Sequence, residues 1–190
     1  MSLADLGKTY RGGAPSPEPA VLFLDIDGVL NSEAWVNARG ERPAGNGPAV
    51  DAWHLDPAAV ARLRRVVDMT GVRLVLSSDW RRAPWKPGLL RTSAALRRVG
   101  LGVGLVGATP VLTDAQRLQR FNVEWSGNYT PRWMECQVWL DTHPEVTRWA
   151  VVDDAADFDA PGWRERHVQT DADIGLTDAD VDRLIALLRQ

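Results

Sequence analysis

Val21-Leu22-Phe23-Leu24-Asp25-Ile26-Asp27-Gly28-Val29-Leu30-Asn31 sets four apolar residues directly before two carboxylates spaced by one residue, and a glycine then releases the chain. A run this apolar reads as a strand buried on both faces, as in a parallel sheet covered by helices. Period-two alternation puts Asp25 and Asp27 on one side and turns Ile26 back into the core. Two acids on one edge repel unless a cation lies between them or one keeps a proton. Gly28 permits a tight backbone excursion that a residue with a Cβ resists. A strand end whose acids merely cap the next turn is the plain alternative.

Around this stretch lie 190 residues, 45% of them hydrophobic and 25% charged, enough for one sizeable core. Residues 1–19 are rich in Gly, Pro and Ser and read as a loose arm; residues 20–190 are expected to form a single domain. The formal charge of −3 gives no general attraction to nucleic acid or to an anionic membrane. One cysteine, Cys136, excludes an internal disulfide and a cysteine-rich zinc site, and the three histidines are scattered. No run approaches membrane-spanning length and the start lacks the apolar core of a signal peptide, so a cytoplasmic protein without membrane contact is expected. Arginine supplies nearly all the basic residues, Lys8 and Lys86 being the only lysines; phosphate chemistry or a GC-rich genome would each produce that bias. The nine tryptophans would stack on bases or, as a group, fill core and rim positions.

From Asn31 to Leu55 the chain carries three glycines and two prolines with little periodicity, a long loop directly after the acidic pair. Trp35, Trp53 or His54 would cover a site from there, or the loop would be a passive connector. Asp56-Pro57 then opens a helix with Val60, Leu63, Val66 and Val67 on one stripe and Gly71 at its end. Residues 72–78 read as a second buried strand finishing in Ser77 and Ser78, with Arg81 and Arg82 close behind. A helix over 87–99 and a glycine-rich strand near 101–106 follow. Gly102-Val103-Gly104-Leu105-Val106-Gly107 spells GxGxxG, but a helix precedes it and Ala108-Thr109-Pro110 follows, the wrong context for dinucleotide binding. A second insertion, 107–131, interleaves Arg117, Arg120, Trp125 and Tyr129, as a nucleic-acid groove or a plain helix and loop would. Pro131 begins a helix that places Arg132 at its amino end, where free N–H groups attract anions, with Glu135, Cys136 and Trp139 on the same face. Trp149-Ala150-Val151-Val152-Asp153-Asp154 is another apolar strand ending in acids, with Asp157 three residues beyond. A short strand near 167–170 and a helix capped by Thr177 or Asp178 close the chain. Alternating strands and helices call for an α/β fold, a mostly parallel sheet covered on both faces, with active residues outside the strands' carboxyl ends.

The four segments together resemble the haloacid dehalogenase (HAD) superfamily of phosphohydrolases: Asp25-Ile26-Asp27-Gly28-Val29 its first motif, Ser77 or Ser78 its second, Arg132 its third, Asp153-Asp154 its fourth. The spacing Arg132-x-x-Glu135-x-x-x-Trp139-Leu140 is similar to small HAD domains attached to nucleic-acid repair proteins. The resemblance implies a three-layer, Rossmann-like core with a minimal cap, the 31–55 loop serving as flap. It further implies a Mg²⁺-dependent phosphatase with Asp25 as nucleophile and Asp27 as acid and base. Ser77 or Ser78 and Arg132 would hold the phosphoryl group. Asp25, the Asp27 carbonyl, Asp153 and Asp154 would hold the metal, with Asp157 a substitute and Glu135 orienting Arg132. The expected substrate is a phosphate on a nucleic-acid end or a nucleotide; small phosphate esters, or a binding module without turnover, are the alternatives.

Overall fold

Five strands, β1 (Ala20–Leu24), β2 (Arg73–Leu76), β3 (Leu105–Ala108), β4 (Arg148–Asp153) and β5 (His167–Gln169), form one parallel sheet in the order β3-β2-β1-β4-β5. The computed structural model describes residues 19–82, 86–102, 104–122 and 130–190. Among these, seven helices accompany the strands: α1 (Glu33–Ala38), α2 (Pro48–Trp53), α3 (Pro57–Thr70), α4 (Gly88–Arg98), α5 (Asp114–Phe121), α6 (Arg132–Asp141) and α7 (Asp178–Leu188). All but the last residue of the expected N-terminal arm, with Val103, Trp125 and Tyr129, lies outside the described residues.

β1 is buried along its whole length, as its unbroken apolar run requires. Leu22, Leu24, Leu74 and Leu76 turn to one face and pack with Leu63 and Val66 of α3, Leu96 of α4 and Leu184 of α7. Val21, Phe23, Val75 and Val151 turn to the other, where Cys136 and Trp139 of α6 meet Phe158 and Trp163. The result is helices on both sides of a sheet, the three-layer core expected. Most of the described tryptophans act as packing: Trp133, Trp139, Trp149 and Trp163 meet ring to ring with one another or with Phe23 and Phe121.

The clearest local signals are realised. Asp56 caps α3 by accepting from the Ala58 N–H at 2.8 Å, and Gly71 ends the helix in the left-handed region at φ 67°. Thr177 caps α7 through a reciprocal pair with Asp180.

Two expectations need correction. Residues 31–55 are no unbroken loop: Ser32 caps α1 by accepting from the Trp35 N–H, and Pro48 starts α2. Each helix has six residues, too short for an apolar stripe to be read. The third strand begins at Leu105, not Leu101: Leu101 is buried because its N–H bonds back to Leu96 O at 2.8 Å, closing α4. Gly107 lies inside β3, so the GxGxxG run forms no strand-to-helix turn.

The chain builds outward from β1 to β2 and β3, then crosses back to lay β4 and β5 on the opposite side. Strand order therefore reverses between β1 and β4, and a crevice opens at their carboxyl ends.

Candidate active site

β1 and β4 pair in parallel with Leu24 opposite Val152, so the next residue on each strand is an acid, Asp25 beside Asp153. The Asp25 N–H donates to Val152 O at 3.0 Å, which ties the two ends together. Asp25 is 5% exposed and Asp153 fully buried. Oxygens of Asp25, Asp153 and Asp154 all lie within 4.8 Å of one another. Burial pushes the Asp25 carboxyl up to about 6 against the pull of Arg132, and burial together with Asp25 raises Asp153 well above the usual carboxylate range. Asp154 is raised as well, mainly by burial.

Asp153 Oδ1 accepts from the Ala155 N–H at 2.9 Å, while Oδ2 is buried without a hydrogen-bond partner. A buried orphan oxygen is expensive unless something cationic or protic meets it. An all-carboxylate donor set with mutual repulsion fits a hard divalent cation such as Mg²⁺. Gly28 makes room for the third acid: at φ 70° it passes so close that a Cβ there would stand 2.5 Å from Asp154 Cγ.

The Asp27 carboxylate is not part of this group. The strand ends at Leu24, so alternation no longer governs residue 27, which instead bridges to Asn31 in the following turn. Its oxygens accept from Asn31 Nδ2 at 2.7 Å, Trp80 Nε1 at 2.8 Å and Lys86 Nζ at 2.9 Å. Burial works to raise its pKa, but these donors outweigh it and hold the carboxyl below its usual value. Sequence inspection missed Trp80 and Lys86 as site residues. The only signal available was their place in the segment that follows Ser77 and Ser78, Trp80 within one turn of the serines and Lys86 farther along.

β2 stops at Leu76, and both serines beyond it are fully buried. The Ser78 hydroxyl bonds the Asp25 carboxylate and also accepts from the Trp80 N–H, whereas Ser77 Oγ sits 3.4 Å from Cys136 Sγ. Ser78 is thus the serine whose hydroxyl faces the acids. Arg132 opens α6 as anticipated; its Nη1 donates to Ser77 O at 2.7 Å, and its Nη2 lies 3.4 Å from Asp79. Burial alone would lower the Arg132 pKa, but Asp25, Asp153 and Asp79 hold the guanidinium firmly charged.

Two expected roles fall to other residues. Asp157 lies outside the three-acid group: its Oδ2 accepts from the Arg132 N–H at 2.7 Å and so caps α6. Glu135, fully buried, pairs with Arg81 and, at 3.5 Å, with Arg82 rather than with Arg132. Arg81 is correspondingly drawn inward, so that pair braces the turn carrying the serines.

The 31–55 segment reaches the site's edge. Trp35 Nε1 donates to His54 O at 3.0 Å, and the His54 ring stands edge-on to Trp80 at 6.3 Å. In the second insertion Arg117 is buried against Asp114 and Thr130, and Arg120 pairs with Asp141, so both charges are engaged within the protein. No helix among the described residues is long and apolar enough to cross a membrane.

The family model for the HAD domain in Swiss Army Knife RNA repair proteins matches residues 21–181, a span that includes Asp25, Asp27, Ser78, Arg132, Asp153 and Asp154. The chain therefore belongs to that HAD family. No curated protein and no solved structure matches it.

Proposed function

From membership of that HAD family we propose that the protein is a Mg²⁺-dependent phosphatase working through an aspartyl-phosphate, with a phosphate at a nucleic-acid end or on a nucleotide as substrate. The observation that carries this reading is the convergence of Asp25, Asp153 and Asp154 at the carboxyl ends of two neighbouring strands, with Ser78 and Arg132 beside them. RNA repair in the family's description supports a nucleic-acid end.

In this reading an Asp25 oxygen attacks phosphorus, and the bond from phosphorus to the leaving oxygen breaks. Asp27 gives that oxygen a proton and then takes one from the water that attacks the aspartyl-phosphate, releasing inorganic phosphate and free Asp25. The donors around Asp27 favour its ionised form, the one needed for the second half of the cycle. The Ser78 hydroxyl and the Arg132 guanidinium supply fixed donors and charge to the phosphoryl oxygens, where charge spreads in the transition state. Mg²⁺, held by Asp25, Asp153 and Asp154 with the Asp27 carbonyl, would offset the carboxylates' repulsion of the incoming phosphate.

Phosphate release from 3′- and 5′-phosphorylated oligonucleotides, mononucleotides and sugar phosphates, with Mg²⁺ or with EDTA, tests this. EDTA-sensitive release that disappears in Asp25→Asn is expected. Equal release by the folded variant would overturn the nucleophile assignment.

A further inference from the structure

A cavity of about 610 Å³ opens beside Asp27: Asp27 lines it, and none of Asp25, Asp153 and Asp154 does. Its size falls within the range of small-molecule sites. A general acid must touch the oxygen that departs, and the nucleophile approaches from the opposite side of phosphorus. The departing group therefore has to lie beside Asp27. A second hollow of about 420 Å³ also touches Asp27, but it includes Asp154 and offers no basic side chain, whereas this cavity does.

The cavity's chemistry differs from that of the acid cluster. Arg39, Lys86 and Arg91 line it against Asp27 and Asp51, an excess of one positive charge. Arg91 is spent on Asp51, gripping it at 3.0 and 2.7 Å, and Lys86 is on Asp27. Arg39 has no carboxylate partner among the described residues; its guanidinium lies 4.4 Å above the Trp53 ring, which fixes it in place. The His54 ring lines the wall beside it. Burial, then Arg39 and Arg42, keep that ring below its usual pKa, so at pH 7 it is a neutral, planar surface.

We propose that this cavity is the leaving-group subsite and takes a nucleotide bearing a second phosphate, with Arg39 binding that phosphate and His54 receiving the base. The proposal rests on the phosphatase reading and deepens it: the preferred substrate carries a phosphate one nucleotide away from the one removed. A phosphodiester link in an oligonucleotide and the other phosphate of a nucleoside bisphosphate share this chemistry.

The test compares kcat/KM on four substrates, in wild type and in Arg39→Gln: a dinucleotide with a terminal phosphate, a nucleoside 3′,5′-bisphosphate, a nucleoside monophosphate and an aryl phosphate. Wild type should prefer the first one or two over the monophosphate by about tenfold or more, the scale of one charge-assisted hydrogen bond. Arg39→Gln should lower the ratio of dinucleotide to aryl phosphate by a similar factor. Preference for the dinucleotide alone assigns a phosphodiester; equal preference assigns any second phosphate. No wild-type preference, or an equal loss on all four in the variant, overturns the proposal. A second readout needs no turnover: binding of the unphosphorylated dinucleotide, followed by tryptophan fluorescence, should weaken in Arg39→Gln. If wild type hydrolyses none of the four, the phosphatase reading fails, and the binding result alone decides the subsite.

Discussion

Trp80 Nε1 donates to Asp27 Oδ1 at 2.8 Å, from an indole that is only 4% exposed. The bond joins the turn after β2 to the turn after β1, and with Asn31 and Lys86 it fixes where the Asp27 carboxylate can stand. Trp80→Phe keeps most of the ring packing and removes the donor. Steady-state kinetics on an aryl phosphate should show kcat reduced about tenfold, the scale of one lost bond to a charged group. Asp27→Asn should cost about 10²- to 10⁴-fold while Mg²⁺ still raises the melting temperature, since its carboxylate lies outside the acid cluster. An unchanged kcat in both variants would remove Asp27 from the chemistry.

Metal-free protein should lose stability as its central acid ionises. A carboxyl whose folded pKa is raised holds its proton longer in the native state than in the unfolded chain. The contribution of Asp25 is then fully present below the ordinary value of 3.8 and is lost as pH rises toward about 6. The shift corresponds to something on the order of 3 kcal/mol once Asp25 is ionised. His54 and His167, both held below their usual 6.5, act with the opposite sign: their contribution is lost as pH falls below that value. The difference between wild type and Asp25→Asn isolates the acid. In EDTA the variant should melt higher at pH 7.5 and the gap should close toward pH 4. The Mg²⁺-induced rise in wild type should grow over the same window, because the ligands must be deprotonated.

Gly28→Ala should act on the metal site through sterics alone. At φ 70° an alanine is strained, and its Cβ would meet Asp154 Cγ, Oδ2 and Cβ at 2.5–2.8 Å. Asp154 has to move away from Asp25 and Asp153. Calorimetric titration should show Mg²⁺ affinity lowered about tenfold or more, by analogy with loss of ligand support.

Glu135→Gln leaves Arg81 buried without its countercharge. Breaking a buried pair from one side costs about 3–5 kcal/mol, and thermal melting should show it. Because Arg81 also bonds Ser78 O, the surviving folded protein should show a raised KM for aryl phosphate as the serine turn loosens. An unaltered melting temperature would mean that the pair contributes nothing net.

The sheet and the positions of Asp25, Asp153, Asp154 and Arg132 were legible because each is announced within its own segment: an apolar run ending in acid, or a proline ahead of a basic residue. What escaped were partners chosen in three dimensions. Glu135 and Arg132 share a helix face, yet Glu135 turns to Arg81, 54 residues earlier in the chain. Asp157 looked like a spare ligand and instead caps the helix that presents Arg132. Serine register was ambiguous because alternation loses its meaning where a strand ends, and Ser78 faces Asp25 only through the turn that Trp80 helps to shape. Trp80 itself read as bulk, since nothing local tells an indole that fills space from one that also donates.

The acids stand at the ends of β1 and β4, the two strands at the reversal of the sheet, whereas one wall of the cavity beside Asp27 is Val36, Arg39, Asn46, Asp51 and His54, from α1, α2 and the residues that follow them. Bond-breaking is thus anchored in the deepest part of the molecule and the choice of what to break in its outermost additions. Exchanging the 31–55 segment should redirect the protein to other phosphate esters without rebuilding its chemistry, making that segment the natural place for both divergence and engineering.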